Sequence, residues 1–175
     1  KVHGLIVEFG IYAQRYDRLI LFLPIDAFRV QASDELSADI AGSEARVRLP
    51  LGKARFELNH HYQWHQDQSG RPLPYRPTHR LNWLTDYRFE AITVYLSGLI
   101  QGIVKSDRFG YRELPSYETV STGITWTIGA GFSLSAELQN AFDERQLFDV
   151  IHRPLPGRSG FINLRWTALD HKNDR

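Results

Sequence analysis

Apolar residues in this chain recur every second position rather than every three or four, and that spacing commits most of the sequence to extended strands. Leu5, Val7, Phe9 and Ile11 alternate with Glu8, Tyr12 and Gln14. Ala54, Phe56, Leu58, Tyr62 and Trp64 alternate with Arg55, Glu57, Asn59, His61 and Gln63, with His60 interrupting the apolar side. The same pattern marks segments around Ala41 to Leu49, Leu81 to Phe89, Ile92 to Leu96, Val120 to Ile128, Phe132 to Leu138 and Ile162 to Ala168, which makes eight. The first continues past Asp17 to Phe22. No segment carries a sustained helical period. Every apolar run is broken by charge or Gly well short of the ~18 residues of a membrane helix, so a helical membrane protein is excluded.

The connections alternate as well. Pro50 to Lys53, the stretch near Glu90, and Gly129-Ala130-Gly131 read as tight turns. Pro24 to about Asp39, Gln66 to Thr78, Ser106 to Leu114 and Phe148 to Pro156 read as long loops rich in charge, Pro and aromatic residues. Short turns at one rim and long loops at the other are the habit of an outer-membrane barrel, and alternating runs of about 9 to 14 residues match a tilted membrane-crossing strand. Closure would satisfy every backbone donor without an edge facing lipid. A soluble barrel or sandwich with its apolar faces inward has the same period. The polar face favours the membrane: Arg46, Arg48, Arg55, Glu57, Asp86, Arg88, Glu137 and Arg165 lie deep in the strands, while Trp64, Trp83, Trp126 and Trp166 stand toward strand ends of the apolar face, as in an interfacial belt.

Composition limits the remaining classes. Lys and Arg total 21 against 20 for Asp and Glu, a formal charge of +1, which gives no reason to expect a nucleic-acid partner. Zero Cys removes disulfides and thiol chemistry but leaves the compartment open. Zero Met, with Lys1 starting inside a strand pattern, suggests a piece of a longer or processed chain. The mean hydropathy of -0.36 conceals a membrane role, because half of each strand is polar.

Several motifs stand in order along the chain: Tyr16-Asp17-Arg18-Leu19-Ile20, Asp39-Ile40-Ala41-Gly42-Ser43-Glu44, Leu73-Pro74-Tyr75-Arg76-Pro77-Thr78-His79-Arg80, Leu114-Pro115-Ser116-Tyr117-Glu118-Thr119-Val120, Leu138-Gln139-Asn140-Ala141-Phe142-Asp143-Glu144-Arg145, and Arg153-Pro154-Leu155-Pro156-Gly157-Arg158-Ser159. Together they resemble the carboxyl-terminal part of the TonB-dependent outer-membrane receptors. The first is similar to the end of an earlier strand of the family. The resemblance implies an all-β fold of antiparallel up-and-down transmembrane strands, about eight of them, from a 22-stranded barrel whose lumen holds a plug. It implies residues 1–169 as barrel and 170–175 as a polar tail where members usually finish on an aromatic residue. Gly42, Glu44, Pro77, His79, Pro115, Tyr117, Asn140, Phe142, Asp143, Pro156, Gly157 and Arg158 are then architectural. Gly42 and Gly157 would supply a permissive backbone where the chain enters a strand, and Asn140 and Asp143 would bond local backbone.

The implied function is energy-coupled uptake of a scarce nutrient such as siderophore iron or cobalamin, in the outer membrane of a Gram-negative cell, with the carboxyl terminus periplasmic. The implied partners are outer-membrane lipid, the remainder of the receptor with its plug and missing strands, the TonB complex through an absent amino-terminal part, and the nutrient itself. No cofactor is implied. The alternative is a self-closed eight-stranded barrel that binds a ligand or serves structure without active transport.

Chemistry beyond binding finds little footing. In a strand His60 faces away from His61 and His65, which lie about 13 Å apart on one face, so the trio cannot share an ion. Asp143-Glu144 and Glu113 have adjacent Arg residues but no positioned acid-base partner, and no nucleophile motif occurs, so an enzyme is not expected. Ligand contact falls to the loop residues Trp64, Tyr75, Arg76, Arg108, Tyr111 and Arg112, whose aromatic and guanidinium groups suit a vestibule.

Overall fold

The computed structural model describes residues 4–24, 29–107, 109–145, 154 and 156–167. Eight strands form one antiparallel meander: β1 (Ile6–Pro24), β2 (Val30–Leu51), β3 (Ala54–Asp67), β4 (His79–Phe89), β5 (Ile92–Gln101), then β8 (Tyr117–Gly129), β9 (Phe132–Gln139) and β10 (Ser159–Trp166). The connection between β5 and β8 contains a small hairpin of β6 (Val104–Lys105) and β7 (Glu113–Leu114).

Register carries the alternation across the whole sheet. Val7, Val47, Leu58, Trp83, Gly98 and Val120 are successive cross-strand partners and share one face. The adjacent row, Glu8, Arg46, Asn59, Asn82, Leu99 and Thr119, lies on the other. The first face leaves Phe9, Ile11 and Ile162 70%, 78% and 80% exposed, an apolar sheet surface that water does not cover favourably. The second sinks Glu57 and Asp86, with side chains only 12% and 17% exposed, among Arg residues. Arg48 Nε donates to Glu57 at 2.9 Å, and Arg55 bonds Asp86 at 2.7 Å. The faces are thus an outward apolar wall and an inner charged wall, and the soluble reading with apolar residues inside is overturned. The sheet is open: among the described residues β1 pairs only with β2 and β10 only with β9, so the described strands do not close on themselves as the self-closed alternative requires.

Three two-residue turns close one rim, at Gly52-Lys53, Glu90-Ala91 and Ala130-Gly131. Each needs positive φ, supplied by Gly52 (64°), Glu90 (41°), and Ala130 with Gly131 (51° and 83°). Thr167 returns to this rim, its N–H bonded to Gly131 O. At the opposite rim the expected loop from Pro24 to Asp39 is largely strand. The β1–β2 ladder continues from Leu19↔Leu36 through Pro24↔Val30 after a register shift beyond Tyr16, so the Asp17 motif is a bulge and not a strand end. At the base of this hairpin Leu19 packs against the buried cluster of Ala38, Ile40 and Leu73. Trp83 also departs from its expected place: it lies mid-strand over Gly98, where an added Cβ would come within 2.4 Å of the indole.

Gly42 and Gly157 differ from expectation in the same way. Neither has positive φ. A Cβ on Gly42 would lie 2.5 Å from the Tyr12 hydroxyl, and one on Gly157 2.5 Å from Asp143 Oδ1. Both are glycine for the space a neighbour takes, not for backbone freedom.

Candidate functional site

The few fully buried apolar residues among those described are Ala38, Ile40, Leu73 and Val104, all at the loop rim. They mark where the loops have folded onto the sheet. Ala38 and Ile40 stand on the inner face of β2, and the β3–β4 loop (residues 68–78) brings Leu73, only 1% exposed, down against them.

Two Asp-x-x-Gly turns shape this rim. Asp67 accepts the N–H groups of Ser69 and Arg71 at 2.8 and 2.9 Å, and Gly70 N–H donates to Asp67 O. Asp107 accepts the N–H groups of Phe109, Tyr111 and Arg112, and Gly110 N–H donates to Asp107 O. Partial desolvation pushes the Asp107 carboxyl up, but the backbone donors together hold it below its ordinary value. The two loops dock on one another: Tyr75 N–H donates to Lys105 O at 2.7 Å, Pro77 bridges Val104, and the Arg71 guanidinium sits 5.4 Å from the Phe109 ring centre.

His65, at the inner end of β3, clamps the first loop. Its Nδ1 accepts Leu73 N–H at 3.0 Å and its Nε2 lies 3.2 Å from Arg76 O. The accepting Nδ1 fixes the tautomer, so Nε2 carries the proton and donates.

The expected contact residues divide. Tyr75 and Arg76 sit on the clamped loop; Tyr75 adopts φ 63°, a costly conformation for an aromatic residue, and burial followed by the Asp107 charge raises its phenol pKa. Tyr111 and Arg112 stand on the second loop, where Tyr111 is 87% exposed and its ring stacks at 6.1 Å on Phe109. Trp64 is apart from these, on the outward face opposite Ala41, which suits a belt residue. Arg108 lies outside the described residues.

The architectural set resolves into several contacts. Asn140 (φ 49°) accepts Glu144 N–H and donates to the carbonyls of Glu144 and Pro156, while Asp143 accepts Arg158 N–H at 2.8 Å. This ties the end of β9 to the start of β10 and makes cross-loop what seemed purely local. The same Arg158 N–H, with Arg145, holds the Asp143 carboxyl below its ordinary value. Phe142 is left 77% exposed. His79 stacks on His60 and tilts against Tyr62 on the outward face. Tyr117 donates to Gln101 from the inner face, and Pro115 is exposed beside it. Glu44 lies 3.8 Å from His61, whose Nε2 is 2.8 Å from the Tyr12 hydroxyl. A cavity of about 650 Å³ opens against this inner wall, lined by Glu8, Glu44, Arg46, His61, Arg80 and Asn82.

Sequence reasoning missed His65 as an anchor and the two Asp turns. The turns had a signal, Asp67-Gln68-Ser69-Gly70 and Asp107-Arg108-Phe109-Gly110. His65 had none, since its partners are backbone atoms of a loop whose path only folding decides. His61 and His65 do face inward and His60 outward, each with separate partners.

No protein-family model matches the chain, and no curated protein matches it in sequence. Solved structures do. The siderophore receptor PiuA from Acinetobacter baumannii superposes with a TM-score of 0.72 at 16% identity, over 93% of this chain and 26% of that one. The copper transporter OprC gives 0.79 at 17% identity, over 93% and 29%. The pyoverdine outer membrane receptor FpvA from Pseudomonas aeruginosa PAO1, bound to pyoverdine, gives 0.69 at 17% identity, over 93% and 27%. The chain therefore spans less than a third of the length of these relatives. At such identity the likeness is one of fold: the chain has the antiparallel barrel-wall fold of these receptors, the fold the motifs lead one to expect of TonB-dependent receptors.

Proposed function

We propose that this chain is the carboxyl-terminal wall, residues 1–169 with a polar tail at 170–175, of a TonB-dependent receptor that imports a scarce nutrient across a Gram-negative outer membrane. The observation that carries the reading is the open sheet with its outward apolar face, together with a superposition that takes up nearly all of this chain and only about a quarter of each receptor. Siderophore iron or another metal chelate is the favoured cargo, because the superposed proteins are named for siderophores, pyoverdine and copper. Cobalamin fits the same architecture. The plug, the remaining strands and the contact with the TonB complex belong to the rest of the receptor.

In this reading the turn rim and the carboxyl terminus are periplasmic and the docked loops face outward, where Tyr75, Arg76, Tyr111 and Arg112, with Arg108, meet the ligand. Guanidinium and aromatic groups on a pre-ordered loop bind an anionic chelate without a large ordering cost. The direct test is uptake of radiolabelled iron or copper chelates by cells carrying the receptor that contains this segment. The expected result is uptake that requires TonB, with Tyr111→Ala plus Arg112→Ala weakening ligand binding about tenfold or more while the barrel still assembles. Uptake indifferent to both TonB and the receptor would refute the function.

A further inference from the structure

We propose that His65 is a proton-operated latch on the β3–β4 loop, so that acidification outside the cell releases Tyr75 and Arg76 from their bound arrangement. The inference rests on the proposed function only for its physiological meaning; the latch itself is a matter of hydrogen-bond sense. Both ring nitrogens are committed, one accepting from Leu73 N–H and the other donating to Arg76 O. A proton taken from solvent onto Nδ1 makes it a donor, and it then faces the Leu73 donor across 3.0 Å. Two N–H groups pointing at each other cannot bond, and Leu73, the most buried side chain described, loses the contact that keeps its backbone down.

The surroundings favour opening over accommodation. His65 is 7% exposed. From β2 it meets Ile40, and Gln14 stands beyond Ile40 on β1. The loop contributes the Arg76 guanidinium, whose charge opposes a second cation. On β3 itself Gln63 and Asp67 flank it on the same face. The Asp67 carboxylate is occupied with the N–H groups of Ser69 and Arg71, and the next inner-face histidine, His61, is bonded to Tyr12. Among the described residues no carboxylate is paired with the ring to stabilise an imidazolium. The latch holds while Nδ1 accepts from Leu73 N–H and is lost once acid places a proton there, a change that an imidazole of ordinary value about 6.5 undergoes between neutral and mildly acidic pH.

The chain has no Cys, so a single nitroxide at Ser69→Cys, on the exposed bend of this loop, reports its motion in the membrane-embedded protein. The label is expected to be immobile near about pH 7.5 and mobile near about pH 5. His65→Gln keeps one acceptor and one donor without a titrating proton, and should hold the label still at both. His65→Phe should free it at both. A label whose mobility does not change with pH in the parent protein, or a pH transition that survives His65→Gln, would overturn the latch. Because the readout is loop motion and not uptake, its failure is distinct from failure of the transport reading.

Discussion

The two faces of the sheet are built from neighbouring residues of the same strands and obey opposite rules. On β1 and β3 the outward positions, Val7, Phe9, Phe56 and Leu58, carry no polar atom, while Glu8, Glu57 and Asn59 one residue away point into a wall where three Arg side chains reach Glu57 within 3.8 Å. An inner charge here is matched by another charge. An outward position has no charged neighbour to match it, and in the proposed membrane setting it meets only lipid. The difference teaches that the outward face is specified by exclusion and the inner face by pairing, so the two should respond differently to the same substitution.

The largest expected effect comes from placing a charge outward. Leu134→Arg, on β9 facing lipid, should cost roughly 2 to 4 kcal/mol if it lies near the bilayer midplane, read as loss of the heat-resistant folded band and of membrane-assembled protein. Ser135→Arg, its inner neighbour, should assemble normally. Equal tolerance at both would break the distinction between faces. Next is Gly98→Val: the new side chain collides with the Trp83 ring, and overpacking of this kind costs about 1 to 3 kcal/mol, measurable by denaturant unfolding in detergent. Gly10→Ala, with nothing within 4 Å of its added Cβ, is the silent control.

A comparable but more local effect is expected at the loop rim. Asn140→Ala removes the carbonyl oxygen that satisfies Glu144 N–H and the amide that reaches the Glu144 and Pro156 carbonyls, a loss of about 1 to 3 kcal/mol for buried groups. It should appear as faster proteolysis within the β9–β10 loop while strand content stays unchanged. The smallest lies at the turn rim, where Glu90→Gly relieves a positive φ of 41° and should raise the unfolding free energy by up to about 1 kcal/mol, read as a higher denaturant midpoint.

The sequence made the walls legible and the rim only in part. Alternation was enough to put Phe9 and Glu8 on opposite faces, because a period of two admits a single register once one face is greasy; the charges deep in the polar face were what favoured the apolar one as outward. It failed from Asp17 onward, where the register shifts between Tyr16 and Leu19 and again before Leu21, since each irregularity moves the residues that follow off the strict period. Gly42 and Gly157 could be seen as required but not why: Tyr12 and Asp143 fill their space, and both are distant in sequence. Likewise His65 reads as one of three histidines until the loop carrying Leu73 and Arg76 folds onto it.

The central claim, an outward apolar wall against lipid with a polar wall behind it, is tested most directly by nitroxide scanning of β8 from Thr119 to Trp126 in the membrane-embedded protein. The account predicts that oxygen collision rates alternate, high at Val120, Thr122, Ile124 and Trp126 and low at Thr119, Ser121, Gly123 and Thr125, in step with their shared rows. Uniform rates along the strand, or the opposite alternation, would contradict it.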